Sequence, residues 1–236
     1  MFGNQSSRTA VARSGLVGFP NLGMETIARR TLKAVAAGEI SYRAATFTDF
    51  RELARFISVA GGGLYEFLFG DLFPLVSPTS LLAIAVASPR GSLSYRNCFV
   101  AVDARTNAVM GVANAFPAEF LRKENYAVLP PRRRSHIQPM LELQDWGSMF
   151  LNALAVSDQH QGRGVGARLL AWAEDRARRA GFKHLSLHAW ADNIKAVNFY
   201  KARGYVAQAV AEIPYHPRLR HGGGSILMHR KIDGPG

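Results

Sequence analysis

The sequence predicts a mixed α/β (α+β) domain in which strands and helices share one core. Three observations carry this prediction. A buried strand over residues 151–156 is followed by a glycine-rich turn and an amphipathic helix. A second strand, residues 183–189, leads into another helix, while a hairpin precedes these elements and two closing strands follow them. A chain of 236 residues with 48% hydrophobic content can bury a substantial core as one domain.

The first 39 residues are predicted to lie outside the folded domain, which we expect to span residues 40–236. Residues 1–23 are rich in Gly, Ser and Arg and contain no acidic residue, so we expect a mobile leader. Such a start also fits an organelle transit peptide. Met24 opens a stretch that fits a short helix and could equally be the initiator, so these alternatives stay open.

From residue 40 to residue 116 the sequence predicts short strands and helices. A strand is expected at 40–45, and Thr48 is a good N-cap for a helix with one apolar face, which the three glycines at 61–63 end. The remaining elements here are the short helices Leu64 to Phe69 and Ser80 to Ala87, and the hairpin strands Asn97 to Asp103 and Ala108 to Phe116.

Residues 117–147 form an unusually long connection before the buried strand. It contains an arginine cluster, Arg132 to Arg134, and the acids Glu119, Glu124, Glu142 and Asp145. Long loops in compact domains are often binding loops or lids. A disordered basic excursion explains the same composition equally well, so both interpretations stay open. The two closing strands are predicted at Tyr205 to Ile213 and Gly224 to Ile232.

Three alternate glycines, Gly162, Gly164 and Gly166, separate the buried strand from the helix after it. The first turn of a helix leaves N–H groups unpaired and carries the positive end of the macrodipole. Glycines remove the Cβ atoms that would keep a phosphate away from those N–H groups. We therefore favour an anion-binding site over a tight turn that holds no ligand.

Two nucleotide motifs do not explain this turn. Gly162, Gly164 and Ala167 match the G-x-G-x-x-A form of the dinucleotide fingerprint, with Asp192 as the ribose carboxylate. However, only about seventy residues follow Gly164, too few to complete a doubly wound sheet. The P-loop pattern is absent, since no Gly-Lys-Ser/Thr follows.

Two sequence blocks in the same order and spacing resemble the GNAT N-acyltransferase superfamily. Gln161-x-x-Gly164-x-Gly166 matches the signature Q/R-x-x-G-x-G/A. Asn193 to Tyr205 is similar to the second block, N-x-x-A-x-x-x-Y-x-x-x-G-F/Y. The close match covers residues 151–205, and upstream the likeness is one of layout.

The resemblance implies a GNAT-like fold, with a central mixed, mostly antiparallel sheet of six to seven strands and helices on both faces. It implies that acetyl-CoA is the cosubstrate, that the glycine turn holds its pyrophosphate, and that two neighbouring strands splay apart around its pantetheine arm. It also places the aromatics Tyr65, Phe67, Phe69 and Phe73 over the acceptor side, where they could line a pocket, although a role in the core is the favoured interpretation for most aromatics. The residues implied to bind acetyl-CoA are Leu154, Ala155, Val156, Gln161, Gly162, Arg163, Gly164, Val165, Gly166, Ala167, Asn193 and Tyr200.

The activity implied is transfer of an acetyl group from acetyl-CoA directly to a primary amine of an unidentified acceptor. By resemblance Tyr200 is the general acid that protonates the departing thiolate, although a half-buried structural aromatic is the alternative. By resemblance Asn193 contacts the cofactor arm, while capping of a helix explains it equally well. A backbone N–H near Leu154 or Val156 would polarise the thioester carbonyl.

The sequence does not identify the general base that this activity needs. An amine with a pKa near 10.4 is only about one part in a thousand neutral at physiological pH, so its deprotonation needs help. Many relatives carry a glutamate on the central strand where this chain has Asn152. A water relay to Glu142 or Asp145, an acceptor amine of low pKa, and a role for His184 or His188 all stay open. Loss of the base also allows a non-catalytic CoA-binding module.

Composition bounds the partners. A net charge of +12 suits a nucleic acid or an anionic surface, but coenzyme A carries three phosphates and no nucleic-acid motif is found, so nucleic acid is the minority interpretation. No apolar run is long enough to span a membrane. A single cysteine, Cys98, fits a buried strand and a reducing compartment, so we expect a cytoplasmic protein. No metal is expected, and a homodimer is kept open.

Overall fold

A computed structural model describes residues 39–233 of the chain. In this part, seven strands form one open sheet in the order β1-β2-β3-β4-β5-β7-β6, and every neighbouring pair is antiparallel except β4 with β5. This confirms the predicted mixed, mostly antiparallel sheet. The strands are β1 (Ile40–Ala44), β2 (Cys98–Asp103), β3 (Val109–Pro117), β4 (Met149–Val156), β5 (His184–Trp190), β6 (Val206–Ala211) and β7 (Ser225–Lys231). The predicted leader lies outside the described residues apart from Glu39.

Helices cover both faces of the sheet, as predicted. One core packs the long helix α5 (Val165–Arg179) against the sheet through Leu169, Leu170 and Ala173, while the other packs α1 (Phe50–Gly61) through Leu53 and Ile57. The helices are α1 (Phe50–Gly61), α2 (Leu64–Phe69), α3 (Pro78–Ala87), α4 (Pro131–Glu142), α5 (Val165–Arg179) and α6 (Ile194–Lys201).

The N-terminal cap of α1 differs from the prediction. A single turn of 3-10 helix, Phe47–Asp49, leads into α1, and its N-cap is Thr46 rather than Thr48. The Asp49 carboxylate accepts the Thr46 backbone N–H at 2.7 Å and pairs with Arg43 at 2.7 Å. The prediction was wrong by two residues because Thr46 and Asp49, three apart, form a reciprocal capping box.

The long connection before β4 is folded. It contains 3-10 turns at Ala118–Lys123 and Tyr126–Val128 and then α4, whose Ile137 is fully buried. Within the arginine cluster, the Arg133 guanidinium donates to the Leu68 carbonyl at 3.1 Å and also to that of Gly70. Arg133 therefore fixes α4 against the end of α2, and the interpretation as a disordered excursion does not hold.

The parallel strands β4 and β5 separate soon after they meet. Only their first three residue pairs lie in register, from Met149 with Leu185 to Leu151 with Leu187. Beyond these, β4 pairs only with β3 and β5 only with β7. The resemblance implied this divergence, and the structure confirms it. In the described residues no helix is long and apolar enough to cross a membrane.

Candidate active site

A cavity of about 820 Å³ opens where β4 and β5 diverge. Residues 150–156 of β4 and 188–190 of β5 form its floor. The glycine turn and α6 with its flanking residues form one wall, while α2, α4 and the connection before β4 supply the rest of the lining. The cavity therefore joins the two sequence blocks to segments that no motif identified.

The glycine turn presents open backbone to the cavity. Gly162 and Gly164 have φ values of +72° and +80°, and a Cβ atom at either would meet nothing within 4 Å. Gly164 is the N-cap of α5, so the amides of the helix's first turn lack carbonyl partners within the helix. Gly162, Gly164, Gly166 and Ala167 all line the cavity. The geometry is that of a helix N-terminus open to an anion.

Side chains from both sequence blocks meet beside this turn. Gln161 donates to the Val156 carbonyl at 3.1 Å, and its amide oxygen accepts from Lys195 at the start of α6. Lys195 and Arg203 line the cavity and supply positive charge there. Arg163 is exposed outside the cavity and Val165 is buried in the core, so neither side chain reaches the cavity.

Asn193 and Tyr200 line the cavity from α6 and the residue before it. The Asn193 carboxamide accepts the Ala196 backbone N–H at 3.1 Å, so it caps α6. Tyr200 is only 8% exposed, and burial raises the pKa of its phenol well above the usual value. Its hydroxyl has no hydrogen-bond partner within residues 39–233. The phenol therefore keeps its proton and is available to a ligand.

Asn152, on β4, also lines the cavity. Its amide nitrogen donates to the Asn114 side chain at 3.0 Å. Burial raises the pKa of the neighbouring Tyr65 to about 12, an effect that a hydrogen bond from Asn152 opposes. Tyr65 and Phe69 line the cavity, whereas Phe67 packs in a separate core cluster and Phe73 is exposed. The cavity floor thus offers neutral polar groups and no base.

The two acids predicted for a water relay do not line the cavity. Glu142 is exposed at the end of α4 and accepts from Gln138 at 2.6 Å. Asp145 faces His229 at 2.9 Å and His184 at 3.6 Å. Both acids precede β4 closely in the sequence, but their side chains lie away from its diverging end.

His188 lines the cavity but is held as a structural residue. Its Nε2 donates to the Leu143 carbonyl at 2.8 Å, and its Nδ1 accepts from the Ser225 hydroxyl at 3.0 Å. Burial lowers the pKa of His188 to about 4, against the opposing effect of the Leu143 bond. Since both ring nitrogens are engaged and the ring stays neutral, His188 is a poor base.

Two further residues at the cavity, Glu124 and His221, have no role assigned from the sequence. Glu124 accepts from the Ser92 hydroxyl and from its N–H, the latter at 3.4 Å. His221, on the loop before β7, lines the cavity and stacks on Trp190, and its Nδ1 donates to the Asp192 carboxylate at 2.8 Å. No local pattern marks these residues, because the partners that they contact, Ser92 for Glu124 and Asp192 for His221, are distant in the sequence.

Comparison with known proteins identifies the family. The model described as the Acetyltransferase (GNAT) family matches residues 86–205, which is 120 of the 236 residues. The chain therefore belongs to the GNAT acetyltransferase family, and the predicted N-acetyltransferase class is confirmed. No curated protein matches the chain.

Solved structures confirm the predicted fold. The mosquito arylalkylamine N-acetyltransferase like 5b is 17% identical with a TM-score of 0.60, over 82% of this chain and 100% of that chain. An N-acetyltransferase from Staphylococcus aureus Mu50 is also 17% identical, with a TM-score of 0.59 over 81% and 100% of the respective chains. A GCN5-related N-acetyltransferase from Kribbella flavida is 22% identical, with a TM-score of 0.51 over 82% and 98%.

His188 predicts a specific dependence of stability on pH. Its pKa is lowered from 6.5 to about 4, so the unfolded chain binds more protons than the folded protein between these values. The stability contributed by the neutral ring is fully present above pH 6.5 and is lost as the pH falls toward 4. His188→Gln should remove about 2–3 kcal/mol of this acid sensitivity, measured by urea unfolding between pH 7 and pH 4.5. His160→Gln is the control, and an unchanged slope in His188→Gln would contradict the account.

Proposed function

We propose that this chain transfers an acetyl group from acetyl-CoA to a primary amine by direct attack. The observation that carries the proposal is the divergence of β4 and β5 after three residue pairs, beside a helix N-terminus with open glycines. Together they form one continuous cleft that fits a diphosphate joined to an extended amide-containing arm. The predictions of a cytoplasmic protein, of a homodimer and of no nucleic-acid partner stay predictions.

In this proposal the diphosphate binds at the glycine turn. The amides of Gly162 to Ala167 would donate to its oxygens, while Lys195 and Arg203 would balance its charge. The pantetheine arm would then lie along β4, since residues 152–156 have backbone groups that no strand on that side pairs. Asn193 would contact the arm beside the helix that it caps.

The far wall of the cavity supports an acceptor with an apolar body. Helices α2 and α4 and the connection before β4 supply this wall. Among the described residues, Glu124 is the only carboxylate that lines the cavity. In an apolar surrounding that carboxylate would attract an ammonium group strongly. We therefore propose a primary amine whose nitrogen is on an aliphatic carbon and whose body is apolar, rather than a polyamine. The apolar side chains of the wall are Leu64, Leu68, Phe69, Leu129, Ile137, Met140 and Leu141.

His221 is the proposed general base in place of Glu142 or Asp145. The Asp192 carboxylate accepts the proton on Nδ1, which leaves Nε2 with a free lone pair. This nitrogen has no partner within residues 39–233, and His221 lines the cavity. An imidazole oriented in this way at a cavity wall can take a proton from the amine as it attacks.

In the proposed transfer one bond forms as another breaks, and each proton that leaves a group has an acceptor. The amine nitrogen forms a bond to the acetyl carbonyl carbon while the carbon–sulfur bond breaks, and backbone N–H groups of β4 stabilise the oxygen that becomes negative. The amine proton passes to His221 and the thiolate takes the Tyr200 proton. Burial raises the proton affinity of the phenolate, but it does the same for the departing thiolate, so Tyr200 can still donate.

Two glycine-to-valine substitutions at opposite ends of α5 test the cofactor site. Gly164 and Gly181 have nearly equal φ values of +80° and +79°, and a Cβ atom at either meets nothing within 4 Å. Gly164→Val and Gly181→Val should therefore lose similar stability, about 1–2 kcal/mol. Only Gly164→Val should lose acetyl-CoA affinity, by more than tenfold in calorimetry, because its methyl groups occupy the diphosphate site. Equal acetyl-CoA affinities in the two variants would show that the glycine turn does not bind the diphosphate.

The acid role is tested by Tyr200→Phe. Turnover, followed as release of free coenzyme A from acetyl-CoA with a panel of primary amines, should fall by about 10²-fold. Acetyl-CoA affinity should change by less than about twofold, because the aromatic ring remains. Tyr205→Phe is the matched control, since its hydroxyl binds Glu174 at 3.1 Å outside the cavity. Unchanged turnover in Tyr200→Phe would exclude the role.

The base role is tested by His221→Gln, with Arg220→Gln as the control in the same loop. Near pH 7, kcat/KM should fall by about 10²-fold in His221→Gln and stay unchanged in the control. The deficit should shrink as the pH approaches the pKa of the acceptor amine, because the free amine then needs no base. A deficit that is constant with pH would mean that His221 only positions the substrate.

A further inference from the structure

We propose that Asp145, His184 and His229 bind a transition-metal dication such as Zn²⁺. The three residues lie at the end of the sheet where β4 and β5 are still paired, away from the diverging end that holds the cavity. None of them lines the cavity, so the site is separate from the proposed transfer chemistry.

The ligand atoms already stand close together. His229 Nδ1 is 2.9 Å and His184 Nδ1 is 3.6 Å from Asp145 Oδ2, and all candidate ligand atoms lie within 4.8 Å of one another. In a tetrahedral zinc site with bonds of 2.0–2.1 Å, neighbouring ligand atoms are about 3.3 Å apart. Small side-chain adjustments would therefore place an ion between the three groups.

The backbone holds these groups in place before any ion arrives. His184 opens β5 and His229 lies in β7, adjacent strands that pair over seven residues. The two imidazole rings are stacked with centroids 4.7 Å apart. Asp145 is held because its carbonyl accepts the Ser148 N–H at 3.2 Å. Three ligands on fixed segments lose little conformational entropy when they bind an ion.

The chemistry of the donor set selects the ion. Two imidazoles and one carboxylate suit Zn²⁺ or its neighbours in the first transition row, whereas Mg²⁺ and Ca²⁺ prefer oxygen ligands. The side chains are 22–38% exposed, so a water molecule can complete the coordination. Lys231 pairs directly with His184 across the strands, and its charge makes binding weaker than at a closed four-ligand site.

An ion here would join the segment before β4 to β5 and β7. That segment also carries Gln144, which lines the cavity and whose buried side-chain oxygen has no partner in the described part of the chain. Asp145 is the next residue, so a bound ion would steady one wall of the acceptor side. The proposal does not depend on the identity of the acceptor or of the acyl donor.

Calorimetric titration of tag-free full-length protein with ZnCl₂ tests the proposal. We expect one saturable ion per chain in the wild type, and at least tenfold weaker binding in His184→Ala and in His229→Ala. His160→Ala is the control for a histidine outside the cluster and should bind as the wild type does. Far-ultraviolet circular dichroism verifies that each variant is folded, and His184, the more exposed ligand, is the safer change. No saturable binding, or equal binding in all variants, would overturn the site.

Discussion

Two parallel strands that pair over only three residues are the constraint on which the rest of the molecule depends. Continued pairing of β4 with β5 would fill the cleft with backbone hydrogen bonds and leave no place for a ligand. The divergence instead leaves polar groups of residues 152–156 unpaired by any strand on that side. Buried backbone groups need partners, so the fold itself demands a ligand rich in amides or water at this position.

Every other part of the site is arranged around that opening. Helix α5 begins where β4 ends, which brings its open N-terminus to the mouth of the cleft. Helix α6 begins just after β5 and carries Tyr200 into the cavity from the same side. The folded connection before β4 closes the opposite side, anchored by Arg133. The polar glycine turn and the apolar part of the cavity therefore lie on different sides of the two strands.

The structure confirms the sequence predictions best where an element depends on short-range spacing. The strand, the turn and the helix from residue 151 onward form one local unit. Asn193 caps α6 because its side chain accepts the N–H of Ala196, three residues later. The proposed base, His221, could not be predicted in this way, because it meets Asp192 and Trp190 only through the closing strands. Glu142 and Asp145 lie near β4 in the sequence, but nearness in sequence does not determine where a side chain points. Asp145 instead meets His184 and His229, a grouping that no linear motif encodes.

Amide hydrogen exchange with and without acetyl-CoA tests the central claim most directly. The account predicts that the amides of residues 152–156 that face away from β3, and those of the turn 162–167, exchange rapidly in the free protein and become protected together when acetyl-CoA is added. Amides at the paired start of β4, from Met149 to Leu151, should change little. Saturating acetyl-CoA that leaves residues 152–156 and 162–167 unprotected, or protects a different surface, would contradict the account.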